Sequence, residues 1–423
     1  MREMKDSGIE WIGEIPAGWK VKKIKHSFSI IAGATPKSEV PEFWDGDIAW
    51  ITPADYKTAD VYVAGGKRNL SQAGYDSCGT TLIPSGSIVF SKRAPIGSVA
   101  INTNDLCTNQ GCLSCVPRCE CVTKYFYYMM SVFTEIFNLF GTGTTFKEIS
   151  ADNFANFSLP FPDITEQHQI VSYLDQKCTE VDAVIAKTKA TIEEYKKLKQ
   201  SIITEAVTKG IRSERALKNT GVEWIRVVPV DWEMVRGKGL FVETNARSTT
   251  GEEELLTVSQ YTGVTPRSQK NVNMFEAESL EGYKICKVGD IAANTMWLWA
   301  GAIGVSEYEG VISPSYNLYR QSGENYNSKY LDYLLRCTPL VQCYESMSTG
   351  IRASRLRLYP QQFLSIKFPV PPMAEQVEIV AYLDKKCAEM DALIARKTAL
   401  LEEMESYKKS VIYEYVTGKK EVQ

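Results

Sequence analysis

Histidine is almost missing from this chain: 423 residues contain two, His26 and His168. That scarcity speaks against histidine-based triads and zinc hydrolases, which need an imidazole beside a nucleophile or several around a metal. Long apolar runs are missing as well. The best candidate, "MWLWAGAIGV" from Met296, is about half of the roughly 20 residues a membrane helix requires. Phosphate-cradling loops are absent, with neither Gly-x-x-x-x-Gly-Lys-Ser/Thr nor Gly-x-Gly-x-x-Gly after a strand. The sole Pro-Pro pair, Pro371 and Pro372, precedes Met373, so the Asn/Asp-Pro-Pro-Tyr/Phe element of amino-methyltransferases is lacking. An excess of positive charge is missing too. At a net charge of -3, any DNA binding must be local or shared with a partner, since a protein that neutralises phosphates alone is usually basic. The opening "MREMKDSGIEWIGEIP" has charges but no apolar core or cleavage site, so it does not read as a signal peptide and the expected location is cytoplasmic.

What the chain does have is repetition. "SGIEWIGEIPAGW" from Ser7 returns as "TGVEWIRVVPVDW" from Thr220, and "EQHQIVSYLDQKCTEVDAVIA" from Glu166 returns as "EQVEIVAYLDKKCAEMDALIA" from Glu375. The copies from Pro160 to Thr208 and from Pro369 to Thr417 agree at about half their positions, far above chance. Each opens with Pro-x-Pro, which marks an extended approach and a helix start. Placing Val171 at heptad position a runs a seam through Leu174, Cys178 and Val181 to Ala206. The second copy repeats it from Val380 to Tyr415, and a seam of about five heptads predicts a coiled coil. Gly210 and Gly418 stand where helix stops belong.

Between the helical copies the chain reads as short strands, such as "DIAWIT", "SIVFS", "LLTVSQ" and "NLYRQ", broken by Gly, Pro, Asn and Ser. These runs predict mixed α/β units of about 150 residues. The expected boundaries are a first globular domain over 1–159, a helix over 160–212, a second domain over 213–368 and a second helix over 369–423. If a pseudo-twofold relates the repeats, the helices pack antiparallel. About 40 residues at 1.5 Å rise make a rod of roughly 60 Å.

Two chemical alternatives are weak. Asp163 could be grouped with Glu194 and Lys196 as nuclease residues, but the last two lie two apart on a helix and face different ways. The cluster "CTNQGCLSCVPRCEC", Cys107 to Cys121, offers four thiols for zinc. Against it, Cys112 and Cys115 fall in a probable strand, where residues three apart point to opposite faces. Eleven cysteines, an odd number, suit reduced thiols packed as small hydrophobes.

The elements "DSGIEWIGEIPAGW", "LPFPDITEQHQIVSYLD" and "FPVPPMAEQVEIVAYLD", with the order head, helix, head, helix, strongly resemble the specificity (S) subunit of type I restriction-modification systems. The resemblance covers essentially the whole chain. It implies two target-recognition domains, each reading half of a split double-stranded DNA target, with the antiparallel coiled coil setting the gap. It also implies a non-catalytic chain that binds no cofactor itself and recruits two modification subunits, which use S-adenosylmethionine to methylate adenine, and restriction subunits. ATP and Mg are implied for those partners. Competing readings are an adaptor whose heads bind proteins, and a stand-alone enzyme, for which the length leaves no room.

Base reading calls for loop side chains that reach groove edges. In the first head the candidates are Lys92 and Arg93, with Thr144, Thr145 and Lys147 in the Gly-rich stretch from Gly141. In the second they are Asn294 and Trp297, with Arg352, Ser354 and Arg355 after Gly350. Trp297 and Trp299 alternate as a strand would, which would instead place them in the core.

Overall fold

A computed structural model describes residues 2–57, 60–93, 95–142, 147–270, 279–351 and 356–422. The chain divides into two compact units, Met1–Thr188 with Ala399–Gln423, and Lys189–Thr398. Each unit consists of one α/β head and a portion of both long helices, Ile164–Lys209 and Met373–Val416. A unit therefore takes the start of one helix and the end of the other.

The first head is built on a five-stranded sheet in the order Phe28–Ala32, Cys112–Pro117, Ile88–Ser91, Val99–Asn102 and Tyr62–Val63. The second has a four-stranded sheet in the order Phe241–Glu243, Asn317–Gln321, Ile291–Ala293 and Ile303–Val305. The four strands of the second sheet match the first four of the first in order and antiparallel sense. In both heads a glycine with positive φ, Gly86 at 82° and Gly289 at 86°, turns the chain into the hairpin's first strand, a conformation glycine adopts at no steric cost. Central strands covered on both faces read as continuous apolar runs rather than alternating ones, and Ile88 to Phe90 and Ile291 to Ala293 are all buried.

The strand Cys112–Pro117 sends two cysteines of the cluster to opposite faces. Leu113 and Cys115 enter the main core with Phe28, Phe90 and Phe126. Cys112 enters a separate small core with Tyr56, Val89 and Leu106 on the other face. Burial pushes the Cys112 thiol up to about 12, so it stays protonated and packs as a small hydrophobe. Among the described residues no group of three or more His, Cys, Asp or Glu side chains is placed to hold a metal.

The paired Glu-Gln at each helix start has a definite role. In the first unit Trp19 Nε1 donates to Glu166 Oε2 at 2.6 Å, and Arg2 pairs with the other carboxylate oxygen while its guanidinium lies 5.1 Å from the Trp19 ring centroid. In the second unit Trp232 Nε1 donates to Glu375 Oε2 at 3.0 Å, Arg215 pairs with Glu375, and its guanidinium lies 5.7 Å from the Trp232 ring. Gln167 and Gln376 are fully buried, and each donates to a carbonyl five residues back, Pro162 at 3.0 Å and Pro371 at 2.9 Å. They also accept from the head, from the amides of Val122 at 2.9 Å and Asn327 at 2.8 Å. A buried amide with its donor and acceptor both satisfied is stabilising rather than costly.

The opposite helix ends are held in the same way. Tyr125 donates its hydroxyl to the Val416 carbonyl at 2.9 Å, and Tyr330 donates to that of Val207 at 3.0 Å. Each tyrosine thus satisfies a carbonyl that the last helical turn leaves without a partner. Gly210, at φ 78°, directly follows Lys209 and ends the first helix, while Gly418 comes two residues after Val416. The aspartates of the two Tyr-Leu-Asp triplets accept from head helices, Asp175 from Tyr128 at 2.5 Å and Asp384 from Tyr333 at 2.9 Å.

Within each unit the two helices run antiparallel. Lys408 reaches Asp182 at 2.6 Å in the first unit, and Lys199 reaches Asp391 at 2.7 Å in the second. All predicted seam positions, from Val171 to Ala206 and from Val380 to Tyr415, are buried or half-buried. Lys199 and Lys408 occupy a positions, where a lysine selects register at some expense of stability. Their ion pairs are largely exposed and worth little energetically, so their contribution is to alignment.

Removing the carboxylate of the second clamp, Glu375→Ala, is expected to destabilise the protein by about 3 kcal/mol or more, because it strands a nearly buried cation and an indole N–H. Glu166→Ala should cost less, since the Glu166 side chain is 24% exposed against 3% for Glu375. Urea unfolding of both variants measures the difference.

Candidate nucleic-acid interface

In the first head the chain leaves the strand Ile88–Ser91 at Lys92 and Arg93. The backbone there is pinned from both sides: Lys92 N donates to Gly111 O at 2.9 Å and Ile149 N donates to Lys92 O at 3.0 Å. This brings Glu148 beside the two cations, with Lys92 Nζ at 2.7 Å from one carboxylate oxygen and Arg93 Nε at 2.8 Å from the other. The Lys92 ammonium, then the Arg93 guanidinium, hold the Glu148 carboxyl below the usual carboxylate range. Lys147 is exposed next to this pair. Thr144 and Thr145 lie outside the described residues. Glu148 was not among the predicted site residues. The available signal was chemical, since two adjacent cations at a strand end call for a carboxylate.

Both heads close the stretch before the next helix with the same two-residue bridge. Thr142 and Glu148 exchange N–H and C=O bonds at 3.0 Å each, and Thr349 and Arg357 do so at 2.9 and 3.0 Å. Helices Ala151–Ala155 and Pro360–Ser365 follow. Arg352, Ser354 and Arg355 lie outside the described residues.

In the second head Asn294 takes a different place from the one predicted. It is buried, donates to the Tyr316 hydroxyl at 3.0 Å and accepts from Met296 N at 3.1 Å. A side chain committed in this way shapes the turn and does not face a groove. The turn it holds presents Trp297, which is 51% exposed and stacked on Trp299 with centroids 5.8 Å apart. The strand alternation expected for these tryptophans is corrected here: Leu298–Ala300 is a turn of 3-10 helix that ends at Gly301 with φ 87°. The glycine breaks the β period between the strands Ile291–Ala293 and Ile303–Val305, and only Leu298 turns inward.

Among the described residues, the candidate positions are thus a Lys-Arg pair at a strand end in the first head and an exposed aromatic pair at a turn in the second, on sheets of the same order. A family model for the type I restriction modification DNA specificity domain matches residues 16–194 and again 229–403. These are two copies of one recognition domain, and the chain belongs to the type I restriction-modification DNA specificity family. It is 37% identical over 166 residues to the MjaIX specificity subunit of Methanocaldococcus jannaschii, covering 38% of each chain. It is 28% identical over 187 residues to the HindI specificity subunit of Haemophilus influenzae, covering 44% of this chain and 39% of that one. The chain therefore spans less than half the length of these two relatives. A putative MjaX specificity subunit of M. jannaschii is 23% identical over 435 residues, covering 96% of this chain and 95% of its own. A chain from a structure of type I restriction-modification complex assembly and conformational transition shares the fold at 16% identity, with a TM-score of 0.71 over 96% of this chain and 99% of that one. The HsdS subunit from Thermoanaerobacter tengcongensis gives a TM-score of 0.51 at 16% identity, over 96% of this chain and 98% of its own. Among the described residues no helix is long and apolar enough to cross a membrane.

The lowered Glu148 carboxyl sets a pH window. A group with a depressed folded value adds stability above its unfolded value, and loses that contribution as pH falls through the folded value. Protection of the Ile149 amide against hydrogen exchange should therefore persist as pH falls through the ordinary Glu range and be lost only below it, as the lowered Glu148 carboxyl takes up its proton. Glu148→Gln should remove that pH dependence. Replacing Asn294 with Ala should cost about 2 kcal/mol in urea unfolding, the sum of two lost buried hydrogen bonds.

Proposed function

We propose that this chain is the DNA-recognition subunit of a type I restriction-modification complex. Each head reads one half of a bipartite duplex target, and the antiparallel helices set the number of unread base pairs between the halves. One observation carries the reading: the specificity domain occurs twice, on heads with the same sheet order and the same helix clamp but different loop chemistry. A shared scaffold with divergent tips suits two related reading tasks at one spacing.

The reading residues proposed for the first head are Lys92, Arg93, Thr144, Thr145 and Lys147, with Arg and Lys suited to guanine edges and Thr to thymine methyls. For the second head they are Trp297, Arg352, Ser354 and Arg355, with Asn294 shaping the turn that carries Trp297. Lys92 and Arg93 reach DNA only by giving up Glu148, which makes that carboxylate a competitor for phosphate.

The chain itself performs no chemistry and holds no cofactor. Two modification subunits, using S-adenosylmethionine, methylate adenine in the target, and restriction subunits supply the ATP- and Mg-dependent steps. Such partners also share the neutralisation of phosphate, which accommodates a net charge of -3. The assembly works in the cytoplasm, on DNA.

Methylome sequencing of a host that expresses the chain with its modification subunits is expected to show one split motif. Deleting a heptad from each helix, residues 188–194 together with 396–402, shortens the paired rod by about 10 Å. The gap should then close by about 3 base pairs, given roughly 34 Å per turn of 10 base pairs, with both half-sequences unchanged. An undivided motif, or a gap unaffected by the deletion, would rule the reading out.

A further inference from the structure

The first repeat carries a concentration of positive charge that the second does not. Lys20, Lys22, Lys23 and Lys25 lie on the strand Lys20–Lys23 and the short helix Ile24–Ser27, directly after Trp19 of the clamp. At the same distances from Trp232 stand Glu233, Val235, Arg236 and Lys238. Four positive charges thus correspond to two positive and one negative. In a chain with a net charge of -3, such a local excess is what phosphate binding requires.

The partners described for these lysines are uncharged. Lys23 Nζ and Lys25 Nζ both donate to Asn156 Oδ1, at 3.3 and 2.7 Å. Lys22 Nζ lies 3.9 Å from the centroid of the Phe161 ring. Two ammonium groups drawn to one neutral oxygen repel each other, and the one carboxylate described at this amide, Asp152, accepts from Asn156 Nδ2 at 3.0 Å, one negative charge against two positive. Lys20, Lys23 and Lys25 are exposed, so an anion can reach them.

The location links this corner to the candidate reading loop. Asn156 ends the helix Ala151–Ala155, whose start is capped by Ser150. Ile149, one residue earlier, is bonded to Lys92 O. The lysine corner and the Lys92–Glu148 loop are therefore at opposite ends of a helix about 7.5 Å long. The charges are spread along a strand and its following turn, Lys20 and Lys22 on one face of the strand and Lys23 on the other, and not gathered in a pocket. Charges spread along an edge suit the repeating charge of a duplex, about one per 1.7 Å of axis, better than they suit a single carboxylate.

We propose that Lys20, Lys22, Lys23 and Lys25 form a phosphate-contact site that holds the DNA backbone beside the half-target read by the first head. This rests on the DNA-reading function proposed above. It makes the two heads unequal, the first held by backbone charge and the second more dependent on its loop tips.

The test uses the full chain assembled with its modification subunits and a mixed-sequence duplex as probe. Lys22 is kept because it packs on Phe161, and the variant is Lys20→Gln, Lys23→Gln and Lys25→Gln together. Each lost phosphate contact removes about 0.9 from the slope of log affinity against log salt. The triple variant should lose roughly 2 to 3 from that slope and bind at least tenfold more weakly at low salt, with an unchanged melting temperature. A control with Lys177→Gln and Lys386→Gln, whose lysines pair with Glu180 and Glu389 on their own helices, should keep the wild-type slope. A wild-type slope in the triple variant overturns the site while leaving the DNA-reading function standing. Loss of the modification subunits from the triple variant, with its slope unchanged, overturns it by assigning the corner to an acidic protein face. A wild-type complex that binds no duplex overturns both.

Discussion

A carboxylate at the first turn of each long helix is the contact on which the rest depends. Glu166 and Glu375 each take an indole N–H and a guanidinium from the segment that opens the head. The contact is expensive to desolvate, and it becomes favourable only because the carboxylate is met from several directions at once. The neighbouring buried Gln bonds both its own helix approach and the head, so helix and head cannot turn independently. Tyr125 and Tyr330 then fasten the far end of the other helix to the same head. Every unit is closed by two helices that the chain reaches at widely separated positions.

That closure explains why the helical segments are alike and the heads are not. A residue such as Gln376, buried with all its polar atoms bonded, tolerates little change, because any replacement leaves a donor or acceptor unpaired. The loop tips meet no such constraint. Lys92 and Arg93 meet Glu148 in one head, while the corresponding hairpin of the other ends in stacked tryptophans. The sheets beneath tolerate both because their interiors are apolar on both faces. The two heads thus combine like frames with unlike side chains at the hairpin ends.

The helices, the strands and their assignment to two repeats were readable in the sequence. Heptad periodicity from Val171 to Ala206 and from Val380 to Tyr415, Pro-x-Pro entries and glycine exits are local signals, and the helices follow them. The opposite placement of Cys112 and Cys115 follows from the two-residue period of a strand. Local period misled at Trp297 and Trp299, where the spacing of a strand was produced by a turn ending in left-handed Gly301. Asn294 has the side-chain chemistry of an adenine reader, yet its amide is engaged by Tyr316.

By itself, then, the amino-acid sequence determined the repeat, the helix faces and the family, because each is written in residues close together or in register between the copies. Tertiary structure alone decided that Trp19 meets Glu166 across 147 positions, that one Glu148 carboxylate pairs with both Lys92 and Arg93, and that Lys23 and Lys25 meet at one neutral oxygen. The reason is that the effective charge of a side chain depends on which groups the fold brings beside it. Those neighbours come from distant segments whose pairing no local period encodes.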